Sequence, residues 1–140
     1  YKHSWEFLQR ELDFGKKSIV LELVPQNEYI VHWALRIGKG PISRVYEFEA
    51  DGACIGKATA LDKGYKLQSQ LLRGWTQKSH RDIAKFTRDF ASNNSYSVAG
   101  DDAFGQGKNC QDFVVELCTY LKIDTEQLPA RTAETVKAGL

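Results

Sequence analysis

The stretch YIVHWALRIGKGPISRVYEFEA, residues 29–50, decides how this chain folds. Its first half alternates: Tyr29, Val31, Trp33, Leu35 and Ile37 face one way, and Ile30, His32, Ala34 and Arg36 the other, the two-residue period of a β-strand. Gly38-Lys39-Gly40-Pro41 supplies turn residues, and Arg44 to Ala50 alternates again until Asp51-Gly52 ends it. The two runs predict a β-hairpin. A four-residue turn at 38–41 places His32 directly opposite Glu47, with Cβ atoms ~4.5–5.5 Å apart on one face. A slip of two residues offers Glu49 instead and leaves the face unchanged.

Outward from the hairpin, Ile19 to Val24 is β-branched and apolar, stopped by Pro25, and reads as a strand. Ser4 to Leu12 carries Trp5, Leu8 and Leu12 at the spacing of a short amphipathic helix. From Ala53 to Trp75 glycines at 56, 64 and 74 break the pattern, and Tyr65 to Leu72 fits strand or helix. Thr76 to Phe90 is helical through Ile83, Phe86 and Phe90. Ser92 to Lys108 is rich in Asn, Ser, Gly and Asp and reads as a loop or broken strand. Cys110, Phe113, Val114, Leu117, Cys118 and Leu121 then mark one helical stripe. Asp124 to Leu140 is weakly patterned, a tail with a short helix. The pattern predicts an α+β fold, an antiparallel sheet packed against the Cys110 helix, in a single domain spanning 1–140.

Composition narrows the function classes. The chain has 140 residues, 42% hydrophobic and 26% charged, with a formal net charge of +1. That is enough apolar material for one core and too much for disorder. Near-neutral charge provides no footprint for a nucleic-acid backbone. The longest apolar runs, Ile19 to Leu23 and Tyr29 to Leu35, fall far short of the ~20 residues that cross a bilayer, which leaves only peripheral membrane contact open. Residue 1 is Tyr and Met is absent, so the start reads as a cut within a longer polypeptide. Three cysteines, Cys54, Cys110 and Cys118, without a CxxC pair suit neither a disulfide framework nor a zinc knuckle. Reduced thiols, and action in a cytoplasm, are the simpler expectation. Three scattered histidines show no metal-ligand spacing, and Gly105-Gln106-Gly107-Lys108 lacks the phosphate-loop pattern.

The residues that carry chemistry are His32, Glu47 and Cys110. Glu47 accepting a hydrogen bond from one imidazole nitrogen leaves the other nitrogen of His32 to act as a base. Cys110 follows a loop and opens a helix, where unpaired N–H groups and the helix dipole stabilise a thiolate and can cradle an oxyanion. Its place on the apolar stripe aims the thiol at whatever the helix packs on, so that Cys, His and Glu converge between helix and sheet. The plainer alternatives are a satisfied core histidine, a cysteine used as a small hydrophobe, and a solvated Glu47 neutralised by Arg36 on the same face. Cys54 and Cys118 take the plain reading. His80 falls on a solvated helix face and His3 near the start, neither with a positioned partner.

The blocks His32-Trp33-Ala34-Leu35-Arg36-Ile37-Gly38 and Asn109-Cys110-Gln111-Asp112-Phe113-Val114-Val115-Glu116-Leu117 resemble the H-box and NC-box of the lecithin:retinol acyltransferase-like family. That family includes phospholipid acyltransferases and phospholipases and belongs to the circularly permuted branch of the papain-like superfamily, in which the His strand precedes the Cys helix. The order His32, Glu47, Cys110 matches. The resemblance spans Val31 to Leu121 and implies that His32 is the general base and Cys110 the nucleophile of a thioester acyl-enzyme. Lipid-acting members often carry a second His where this chain has Glu47, and an acidic-then-His pair where it has Gln111 and Asp112. The tail supplies no hydrophobic anchor.

Residues and resemblance together point to a cysteine-dependent hydrolase or acyltransferase of papain-like, circularly permuted fold, acting on an acyl-bearing substrate with no metal or organic cofactor. The boxes favour a lipid ester. Glu47 at the third position, the missing anchor and the abrupt start favour a peptidase, amidase or deamidase, including an effector or toxin domain. A third reading, of another class, is an inactive papain-like binding module.

Overall fold

The computed structural model describes residues 15–25, 31–57, 69–97 and 107–129. The predicted helix at Ser4 to Leu12 and most of the tail lie outside them. Five strands, β1 (Lys17–Pro25), β2 (Val31–Ile37), β3 (Arg44–Glu49), β4 (Gly52–Gly56) and β5 (Ser69–Thr76), form one antiparallel sheet in the order β4-β3-β2-β1-β5. Two helices, α1 (His80–Asn93) and α2 (Cys110–Tyr120), pack against it. The architecture is α+β, with the Cys110 helix on an antiparallel sheet. No helix among the described residues is long and apolar enough to cross a membrane.

Alternation along the strands builds two buried faces. Ile19 and Leu21 of β1, Trp33, Leu35 and Ile37 of β2, and Tyr46 and Phe48 of β3 form one core with Ile83 and Phe90 of α1 and Phe113, Val114 and Leu117 of α2. Phe48 meets Phe90 edge-on at 5.0 Å and Phe113 at 6.4 Å, and Phe90 meets Phe113 at 5.3 Å. Aromatic pairs of this kind add ~0.5–1.5 kcal/mol each beyond area burial, so this trio fixes both helices against β3. The reverse face carries Glu22, Val24, His32, Ala34, Val45 and Glu47, all buried as well.

The β2–β3 connection departs from the expected four-residue turn. Gly40–Ile42 forms a 3₁₀ turn with Pro41 near its start, closed by Ser43, whose N–H and hydroxyl both donate to the Gly40 carbonyl. Gly38 and Gly40 take φ of 95° and 62°, angles that suit glycine. The loop therefore runs to Ser43, and the register becomes Ile37↔Arg44, Arg36↔Val45 and Leu35↔Tyr46, two residues from the one expected. The ladder stops there: β2 continues back to Val31 along β1, and β3 continues to Glu49 along β4. The strands part, leaving a fork between Val31–Ala34 and Glu47–Glu49.

Elsewhere, Ala50-Asp51 is a two-residue connection that turns β3 into β4, and the ambiguous stretch resolves at its end into β5, paired with β1 through Thr76. Helix α1 starts at His80 rather than Thr76 because the Ser79 side chain accepts the Asp82 N–H as its N-cap.

Candidate active site

The fork in the sheet holds the predicted pair. His32 Nε2 lies 2.8 Å from Glu47 Oε1, and both residues are buried, at 2% and 0% exposure. Continuing the ladder would set Glu49 opposite His32; Glu47 reaches it diagonally, a separation long side chains span. Glu49 Oε1 stands farther off, 3.8 Å from the same nitrogen. A carboxylate only accepts, so with Glu47 as the acceptor Nε2 is the donor, and Nδ1 is the nitrogen left to other partners. Burial, then the charges of Glu47 and Asp51, push the Glu49 carboxyl above its ordinary range, with His32 opposing.

Arg36, on the same face, binds Glu22 and the β2–β3 loop. Its Nε donates to Glu22 Oε1 at 2.7 Å, and its Nη1 to Ser43 Oγ at 3.2 Å and to the Lys57 carbonyl at 2.9 Å. The reverse face thus carries the Arg36–Glu22 ion pair at the zipped end of the hairpin and the His32–Glu47 hydrogen bond at the fork.

Cys110 approaches from the other side. It is the first residue of α2, behind an Asn109 N-cap that forms a full capping box: Asn109 Oδ1 accepts the Asp112 N–H at 2.9 Å, and the Asp112 carboxylate accepts the Asn109 N–H at 3.0 Å. Two contacts dock this first turn on β2. The Trp33 N–H donates to Cys110 Sγ at 3.4 Å, and Gln111 Nε2 donates to the Val31 carbonyl at 3.4 Å. A strand N–H lies in the plane of its sheet. The β1 side of β2 is fully laddered, so the thiol occupies the side from which β3 has withdrawn.

Placement therefore corrects the expectation that Cys, His and Glu converge between helix and sheet. Trp33, Leu35 and Ile37 form the bulkier apolar face and take the helices, which leaves His32 and Glu47 on the reverse face. The structure brings His32 and Glu47 into contact and brings the Cys110 thiol to the main chain one residue from His32, at the level of the sheet. Cys54, Cys110 and Cys118 are all free of disulfides. Cys118 is wholly buried, and burial pushes its thiol up to about 12. His80, expected on a solvated face without a partner, has its Nδ1 2.6 Å from the Tyr46 hydroxyl on the helix-covered side. His3 lies outside the described residues.

Two further residues, Asp112 and Gln111, shape the first turn of α2. Asp112 builds the capping box, and its signal was present as Asn109-x-x-Asp112. Gln111 is 1% exposed, with its Oε1 buried and unpaired among the described residues; nothing local in the sequence marks it. The chain matches no family model, no curated protein and no solved structure.

Proposed function

We propose that this chain is a cysteine-dependent acyl hydrolase or acyltransferase with a circularly permuted papain-like arrangement, acting through a thioester on Cys110. The observation that carries the reading is the docking of the Cys110 thiol on the Trp33 N–H, next to a His32 whose Nε2 is held by buried Glu47. That leaves Nδ1 as the nitrogen for the thiol proton.

In this mechanism His32 Nδ1 takes the proton from Cys110, and the thiolate attacks an ester or amide carbonyl. First-turn N–H groups of α2 stabilise the tetrahedral oxyanion; that of Asp112 is committed to Asn109 and takes no part. The intermediate collapses to the thioester as the imidazolium protonates the leaving alcohol or amine. Water or an acceptor alcohol or amine, deprotonated by His32, then attacks the thioester and releases the thiolate. Glu47 is the positioning residue that holds the imidazole tautomer throughout. The H-box and NC-box resemblance favours a lipid acyl ester; an acidic third residue suits a peptide or amide substrate.

The test is an activated acyl ester followed by intact mass. The parent gains one acyl group and Cys110→Ala none. Labelling of Cys110→Ala as fast as the parent refutes the nucleophile. Turnover of phosphatidylcholine liposomes against a peptide and amide library separates the two substrate classes. One observation favours the binding-module reading: Cys110 is only 1% exposed. Turnover of neither substrate class, with Cys110 reacting at an ordinary thiol's pH profile, would favour it.

A further inference from the structure

The fork gathers donors that the acyl chemistry does not fully use. We propose that His32, Glu47 and Glu49 form a binding site for a zinc-type divalent cation. One ligand atom from each of the three lies within 4.8 Å of the other two. From Nε2 the two carboxylates stand at 2.8 and 3.8 Å. Tetrahedral zinc with ligands at ~2.0–2.2 Å holds neighbouring donors ~3.3 Å apart, midway between those separations, and the two carboxylates, within 4.8 Å of each other, close on the ion from either side.

The surroundings suit capture as well as coordination. The side chains of His32 and Glu47 are 3% and 0% exposed, whereas Glu49 is 28% exposed. Two ligands are thus buried, and the third is the one that solvent and a hydrated cation reach. The scaffold is rigid on the β3 side, since Glu47 and Glu49 are laddered to Cys54 and Gly52 of β4. A second carboxylate facing an already buried one gains from a dication more than a single imidazolium supplies. Imidazole plus two carboxylates, with a water completing four, is a zinc-type donor set; calcium wants six to eight oxygens and magnesium a near-ideal octahedron.

Binding has a proton consequence. When the cation takes Nε2 of a neutral imidazole, the single ring proton moves to Nδ1 and none is released. Resting on the acyl-transfer reading, this makes the two uses of His32 exclusive, because a ring already protonated at Nδ1 accepts no proton from Cys110. Zinc at the fork is then an inhibitor acting from the reverse face.

The experiment titrates zinc chloride into the metal-free full chain by calorimetry, with no substrate present. One equivalent is expected. Outer-shell changes alone cost about 10–100-fold in metal affinity, so Glu49→Gln, a change at the exposed rim, should weaken binding at least 10-fold, with its circular dichroism and melting unchanged. Cys110→Ala should bind as the parent does. Absence of saturable binding, unchanged affinity in Glu49→Gln, or loss in Cys110→Ala would each overturn the site, the last by moving the ion to the thiol. Slower acylation of Cys110 in saturating zinc supports the coupling. Equal acylation rates with and without zinc keep the site and overturn only its coupling to the thiol.

Discussion

Cys110 and Cys118 sit on the same helix and the same apolar stripe, and both are buried, at 1% and 0% exposure. Their surroundings differ because of where the helix begins. Cys110 opens α2, where the dipole and first-turn N–H groups act, and its sulfur already accepts a main-chain hydrogen bond from Trp33. Cys118 lies two turns on, beyond the reach of those fields, and desolvation governs it; the Arg73 charge offsets only part of that effect. On the proposed reading, burial alone does not make a thiol inert. What decides is whether burial comes with donors that favour the anion.

The sharpest break of this contrast is at His32. If His32 serves Cys110 as a base, His32→Gln, which keeps a hydrogen-bond donor for Glu47 but no base, should slow acylation of Cys110 by about 10²–10⁴-fold. Alkylation of Cys118, which requires opening of the core, should keep its parent rate. Parallel changes at both thiols, read by peptide mapping after timed labelling, would show that the substitution loosens the fold rather than removing a base.

A smaller effect is expected at the cap. Asn109→Ala removes the acceptor of the Asp112 N–H and should cost about 1 kcal/mol of stability, measured by denaturant unfolding. It should also slow acylation of Cys110 several-fold by loosening the first turn. Cys118, anchored by Phe113, Val114 and Leu117 in the core, should not respond. An unfolding cost without any change at Cys110 would separate the helix cap from the thiol.

What the sequence made legible follows the same division between local and distant causes. Strands β2 and β3 and helix α2 are visible because strict two-residue and helical periods reflect which side chains are buried. The placement of His32 and Glu47 on one face follows from alternation alone. The register does not, because the loop length depends on Ser43 closing on the Gly40 carbonyl rather than on the turn residues themselves. Alternation also cannot say which face takes the helices, and so the convergence of all three site residues between helix and sheet was misplaced. Strands β4 and β5 are glycine-interrupted and owe their strand form to their partners. The Tyr46–His80 contact joins residues too far apart in sequence for any spacing rule to find.

The least conspicuous consequence of the contrast is a pH dependence of stability. In the unfolded chain the Cys118 thiol ionises near its ordinary 9.0; in the folded protein it ionises only at about 12. Between those values the folded state holds a proton that the unfolded state has released, so stability falls as pH rises through this window. Below pH 9 both states are protonated and the effect vanishes. Cys118→Ala should therefore lose about 1 kcal/mol near neutral pH through reduced packing, yet decline less steeply than the parent between pH 9 and the parent's alkaline limit. Paired urea unfolding curves for the two proteins cancel the lysines and tyrosines that titrate over the same range. Parallel slopes would place the thiolate in surroundings that tolerate it, and the difference between the two cysteines would then rest on access alone.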